Sequence, residues 1–210
     1  MKVEILCVTP DAEKLIEEAG RTCYRSEGRI GSGTEQAFIR NLIAAGHLSV
    51  LEHASATIRL SGISRALTHQ LIRHRLCSFS QQSQRYVRED EFEYITPPAI
   101  ASNENAVQVY HECMGQLTDV YKKLLSAGIL KEDARYVLPN ACATQIVFTA
   151  NFRQLRSMIH LRGEKKAQWE IREAFIRILE QMKKIAPNCF FDFETDYEKM
   201  TVESGVRVKS

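Results

Sequence analysis

The run NENAVQVYHECMGQLTDVYKKLLSAG, residues 103–128, constrains the fold more than any other stretch. Val107, Tyr110, Met114, Leu117, Tyr121 and Leu124 recur every three or four residues, which sets one apolar stripe along a helix. Gly128 is placed to stop it. At about 1.5 Å per residue such a helix is longer than most in globular domains, and its stripe must lie on another layer. Further helical patterns cover residues 11–20, with Asp11 as N-cap, and 34–46, with Thr34 as cap, a stripe of Phe38, Leu42 and Ala45, and Gly46 as stop. Others cover 64–75, with Ser64 as cap, 131–139, closed by Pro139, 152–162 and 166–187. Strand patterns are few and far apart: 2–8 (KVEILCV), 53–62 and 142–151. Glycine-rich residues 25–33 read as a loop. Helices mixed with scattered strands predict an α+β fold, a mixed or antiparallel sheet flanked by long helices, and not a regular βαβ array.

A chain of 210 residues with 44% hydrophobic content supports one core, so residues 1–210 are expected to form a single domain. The charged last twenty residues are expected to be peripheral, ordered only through contacts with the rest. A net charge of +2 makes any anion-binding character local. No apolar run reaches membrane-spanning length, and MKVEILCVTP reads as a strand, not a signal peptide. Cys7, Cys23, Cys77, Cys113, Cys142 and Cys189 form no CxxC pair, which predicts reduced thiols, a cytoplasmic protein and no metal site. There is no GxGxxG after a strand and no GxxxxGK[ST].

The chemistry concentrates in LIRHRLCSFSQQSQRYV, residues 71–87. On a helix over 64–75, Arg65, His69 and Arg73 share a face, while His74 and Arg75 sit at its C-terminus, where cations suit the helix dipole. Capping explains one or two charges; a solvated loop is the bland alternative for Ser78, Ser80, Gln81, Gln82, Ser83, Gln84 and Arg85. Together the two halves supply arginine forks for phosphate oxygens and amides that can both donate and accept. That set suits an extended anionic ligand. A nucleotide- or RNA-binding module without catalysis is the competing class, but no broad basic stripe with interleaved aromatics is present, so no nucleic-acid partner is expected.

RHRLCSFSQQS, running from Arg73-His74-Arg75 to Ser83, resembles the signature of the flavin-dependent thymidylate synthases. GHLSVLEH (46–53), ARYVLP (134–139), NFRQLRSMIHLR (151–162) and AQWEIR (167–172) resemble further segments of that family, in the same order. The resemblance implies conversion of dUMP to dTMP. Methylenetetrahydrofolate is the carbon donor, FAD reduced by NADPH is the hydride source, and the assembly is a homotetramer with shared sites. By matching position it implies that Arg73, His74, Arg75, His47, Ser49, Asn151 and Arg153 meet FAD. Gln70, Arg73, Gln82, Ser83, Gln84, Arg85 and Arg135 would meet dUMP, with Gln81 between the two ligands. Arg162 would lie against the uracil ring as the catalytic cation, favouring negative charge on the pyrimidine. Two positions depart from the pattern: Gln81, where some relatives carry Glu, and Ser157, where a longer polar residue is common and His160 stands one turn on. The resemblance implies no cysteine nucleophile, so Cys77 reads as a small buried filler. Glu132 and Arg135 have the spacing of an orienting salt bridge. Glu52 and His53 read either as a structural pair or as chemistry, and His69 as either folate-lining or surface. Trp169 reads as core or interface, His111 as surface.

Overall fold

The computed structural model describes residues 1–205. Four strands, β1 (Lys2–Val8), β2 (Ser55–Ser64), β3 (Cys77–Gln81) and β4 (Ala143–Asn151), form one sheet in the order β1-β2-β4-β3. Along β2 every second side chain from Ala56 to Leu60 is buried, the period-2 pattern of a half-covered strand. The fold is α+β, as the pattern of elements predicts. By internal contacts the described residues divide into two compact units: residues 1–2, 60–71 and 80–146, and residues 3–59, 72–79 and 147–205.

The first unit holds α3 (Arg65–Leu71), α4 (Pro98–Ala101), α5 (Glu104–Ser126) and α6 (Lys131–Ala134). The α5 helix starts where the Asn103 side chain accepts the Ala106 N–H at 3.0 Å. Its expected stripe faces inward: Met114 and Tyr121 are buried, and Val107, Tyr110, Leu117 and Leu124 are half-buried. Met114 packs with Phe92 and Cys142, flanked by Tyr94, Tyr110 and Leu117.

The second unit holds α1 (Ala12–Thr22), α2 (Thr34–Ala44), α7 (Phe152–Gly163) and α8 (Trp169–Ile185). It also contains an antiparallel hairpin of β5 (Phe193–Asp196) and β6 (Thr201–Ser204). Its core is aromatic and aliphatic, with Phe152, Leu155, Ile159, Phe175, Leu179 and Phe190 fully buried. At those values each such side chain contributes roughly 1.5–3 kcal/mol of transfer free energy.

Several local expectations need correction. The α1 helix continues through Gly20, because the glycine serves close packing: a Cβ there would lie 2.7 Å from the Phe38 ring. Asp11 holds the N-cap position in a left-handed conformation and its side chain makes no capping bond. In α2 the cap position belongs to Gly33, and the buried face is Ile39 and Ile43, one residue on from the expected stripe. The Ser64 hydroxyl does cap α3, accepting the Leu67 N–H at 3.0 Å. That helix ends at Leu71, however, so Arg73, His74 and Arg75 are not helical. The polar run that follows is not a loop throughout: CSFSQ is strand β3, with Cys77, Phe79 and Gln81 half-buried and Ser78 and Ser80 exposed.

Candidate active site

Ending α3 at Leu71 leaves a short link before β3, and the link separates the three members of the basic triplet. Arg73 and Arg75 are exposed, whereas His74 is 8% exposed. In the second unit the Nε–H of Arg162, on the last turn of α7, donates to His74 Nε2 at 2.9 Å. Burial, and then the charge of Arg162, push the His74 imidazole down to about 4, so it is neutral at physiological pH. Burial also lowers the Arg162 guanidinium, which remains a cation because its ordinary value is so high.

The same unit carries the other expected flavin residues. Asn151 caps α7, its side chain accepting the Gln154 N–H at 2.8 Å. Arg153, in the first turn, is exposed and pairs with Glu52, so Glu52 does not pair with its neighbour His53. His47 and Ser49 are exposed at the entry to the turn Ser49–His53. A cavity of about 240 Å³ is lined by Leu48, Arg153, Arg156, Ser157, His160, Phe193 and Ser204. Ser157 and His160, one turn apart, thus share one wall. Arg156 Nε is buried there without a hydrogen-bond partner among the described residues. Sequence reasoning missed Arg156; an arginine inside the apolar spacing of α7 is the signal that could have found it.

Of the expected nucleotide residues, Gln70, Gln81, Gln82, Ser83, Gln84, Arg85 and Arg135 lie in the first unit, whereas Arg73 and Arg162 belong to the second. Thr68, fully buried on α3, donates its hydroxyl to the Arg65 carbonyl at 2.9 Å and therefore accepts from Gln81 Nε2 at 3.0 Å. This fixes the Gln81 amide with its oxygen away from Thr68. A glutamate at that position would have to draw the Thr68 proton from the Arg65 carbonyl. Thr68 is a second residue the sequence did not single out. Gln82 donates its side-chain amide to Glu89 at 3.1 Å, and its carbonyl accepts from Arg65 at 3.1 Å. Burial pushes the Glu89 carboxyl up against the pull of Gln82 and Arg65. Glu89 and Gln82 line a cavity of about 290 Å³ whose wall also carries Glu91 and Glu93. Ser83 Oγ accepts the Arg85 N–H at 3.2 Å, tightening the turn, and Gln70 and Gln84 are half-buried. Glu132 orients Arg85, not Arg135: its carboxylate accepts from Arg85 Nε, while Arg135 Nε donates to the Glu132 carbonyl at 3.0 Å.

A family model described as thymidylate synthase complementing protein matches residues 4–188. The flavin-dependent thymidylate synthase of Geobacter sulfurreducens is 43% identical over 200 residues, covering 91% of this chain and 86% of that protein. That of Clostridium tetani is 40% identical over 212 residues, covering 90% and 85%. The chain belongs to the flavin-dependent thymidylate synthase family. A crystal structure of thymidylate synthase X from Helicobacter pylori with FAD and dUMP shares the fold. Its TM-score is 0.75 at 23% identity, covering 90% of this chain and 99% of that one.

Membership in this flavin-dependent family makes the state of the cysteines informative. A thiolate nucleophile needs a depressed pKa. Here burial pushes Cys77 up to about 11 and Cys142 up to about 12, and drives Cys189 upward as well. The Cys77 thiol donates a weak hydrogen bond to Met158 Sδ at 3.5 Å. Cys77→Ala is therefore expected to retain dTMP formation within about twofold and to lose about 1–2 kcal/mol of stability. A complete loss of turnover with FAD still bound would assign the thiol a chemical role. Trp169 opens α8 half-buried, and His111 is exposed, its Nδ1 2.6 Å from the Tyr94 hydroxyl. His69 is exposed on α3. Among the described residues no helix is long and apolar enough to cross a membrane, and no group of three or more His, Cys, Asp and Glu side chains is placed to hold a metal ion.

Proposed function

We propose that this chain performs its family's reaction with the residues named above: dUMP, methylenetetrahydrofolate, NADPH and a proton give dTMP, tetrahydrofolate and NADP. The observation that carries the reading is Arg162, a half-buried cation on the last turn of α7, held at Nε by a neutral imidazole. Such a fixed charge beside the uracil ring favours negative charge on the pyrimidine and makes its C5 a better nucleophile, with no thiolate needed.

FAD, when bound, supplies the hydride drawn from NADPH that reduces the transferred one-carbon unit to methyl. The donor set fits that cofactor. Arg73, Arg75 and Arg153 offer cations for its phosphates, His47, Ser49 and Asn151 offer polar contacts, and the cavity at Ser157 and His160 offers a partly apolar recess. That recess is smaller than the roughly 300–1,000 Å³ typical of a drug-sized ligand. It has room for only part of a dinucleotide, which supports a site completed by other copies in a homotetramer. Arg85 and Arg135, arranged around Glu132, would take the dUMP anion, with Gln70, Arg73, Gln82, Ser83 and Gln84 supplying further polar contacts. Gln81 would present its amide oxygen between the two ligands. Residues 1–210 act as one functional domain in this reading, and six free cysteines fit a reducing, cytoplasmic setting.

The test is the visible absorption spectrum. The purified protein should be yellow, bleach anaerobically with NADPH, bleach faster once dUMP is present, and form dTMP on addition of methylenetetrahydrofolate. A colourless protein that FAD cannot reconstitute would overturn the reading.

A further inference from the structure

We propose that His74 is a positioning residue: it holds the plane of the Arg162 guanidinium against the pyrimidine without cancelling the charge. This rests on the role of Arg162 given above. Arginine can only donate, so the 2.9 Å contact makes His74 Nε2 the acceptor and leaves the ring proton on Nδ1. The N–H groups of a guanidinium are coplanar, so fixing Nε–H on a rigid acceptor fixes the plane of the remaining donors. The acceptor is rigid here because His74 is 8% exposed, whereas Ile72, Arg73, Arg75 and Leu76 around it all face solvent. The middle residue of the triplet therefore does a different job from the two arginines that flank it.

The choice of imidazole follows from the task. A carboxylate would bind Arg162 more strongly, but it would form an ion pair and subtract from the field at the substrate. A buried, neutral imidazole orients the cation and leaves its charge intact. Polar groups that act through a second one in this way are worth most when the geometry is narrow, and a displacement of about 1 Å at a reacting centre can cost about 10²-fold in rate.

The test compares His74→Phe, His74→Gln and His74→Glu in the FAD-loaded protein. It measures flavin per chain by absorbance, dUMP affinity by calorimetry and dTMP formation. We expect His74→Phe to lower kcat/KM about 10²-fold per bound flavin, the flavin content being measured separately because His74 is also an expected flavin contact. His74→Gln, a neutral acceptor, should recover at least about tenfold of that loss. His74→Glu, of the same size but charged, should not, and should weaken dUMP binding through its repulsion of the nucleotide anion. In an Arg162→Ala background, His74→Phe should cost less than about twofold, because its effect runs through Arg162. Three results would overturn the proposal: unchanged turnover per bound flavin in His74→Phe, equal recovery by Gln and Glu, or an undiminished effect in the Arg162→Ala background. If His74→Phe does not fold, the Gln and Glu pair decides alone. A wild-type protein that forms no dTMP overturns the reading of function as well, whereas normal wild-type turnover with Gln and Glu alike overturns only the role of His74.

Discussion

Arg162→Ala is expected to lower dTMP formation by about 10²–10³-fold while the flavin spectrum of the purified protein is retained. The size follows from what the side chain supplies. A preorganised donor or charge aimed at developing negative charge, in a site partly withdrawn from water, is worth several powers of ten, because it needs no reorganisation during the reaction. Arg162 meets both conditions: it is half-buried, and its Nε is held by His74 at 2.9 Å. Retention of FAD follows from position, since the exposed cations Arg73, Arg75 and Arg153 remain. Arg162→Lys should recover little, because an ammonium has neither the planar fork nor an Nε–H to set on the imidazole. Turnover is measured as dTMP formed from dUMP, methylenetetrahydrofolate and NADPH, alongside flavin content by absorbance. Near-normal turnover of Arg162→Ala would remove the electrostatic role assigned to this residue.

The elements most legible in the sequence were those whose burial is set by their own period. The α5 stripe and the alternation of β2 are local properties, and a long regular run records them redundantly. The errors lie where a distant residue decides. Gly20 looks like a stop until Phe38 is brought against it, and then it is the one residue small enough for the crossing. Gly163 is the same case: a Cβ there would lie 2.6 Å from Val202, in a hairpin whose four-residue strands are too short to show a pattern. The apolar run Leu67, Leu71 ends at the helix end, but basic residues after it continued to look helical. In CSFSQ the period-2 signal was present in Cys77, Phe79 and Gln81, hidden by polar side chains on both faces.

The candidate site divides along the same line. The motif and its ordered neighbours nominate residues for the site, because chemistry restricts residue type at fixed spacing. They did not bring out who holds whom. Glu132 is three residues from Arg135 yet its carboxylate serves Arg85, 47 positions away, and His74 meets Arg162 across 88 positions. Thr68, which orients Gln81, carries no signal of its own, since a buried threonine on a helix is ordinary in any core.

Asp192→Ala should destabilise the protein by about 3–5 kcal/mol, with a fall in Tm of the order of 10 °C. The Arg156–Asp192 pair is almost fully buried, with side chains 4% and 1% exposed. Both terminal nitrogens of Arg156 engage the carboxylate, at 2.7 and 2.8 Å, and one also donates to the Cys189 carbonyl at 2.6 Å. The Ser204 hydroxyl donates to the same carboxylate at 2.8 Å, and the Arg156 guanidinium lies 4.7 Å from the centre of the Phe193 ring. Removing the carboxylate leaves a cation in the core with nothing to balance it, and this is what makes breaking a buried pair so costly. It also releases β6 from Asp192 and reshapes the recess that Arg156, Phe193 and Ser204 help to line. FAD affinity should therefore fall together with Tm, unlike in Arg162→Ala. The pH dependence has a definite sign. Burial pushes the Asp192 carboxyl up, but Arg156 and Ser204 pull it down further, below the ordinary carboxylate range. A depressed folded value means that the contribution is fully present above the unfolded carboxylate pKa of about 3.9. It is lost as pH falls from there through the folded value. Asp192→Asn, which keeps the shape, should show the same loss near neutrality and a flatter acid limb in thermal melts between about pH 5 and 2. Melts of Asp192→Asn that match the wild type across that range would show that the buried pair does not hold the hairpin to α7.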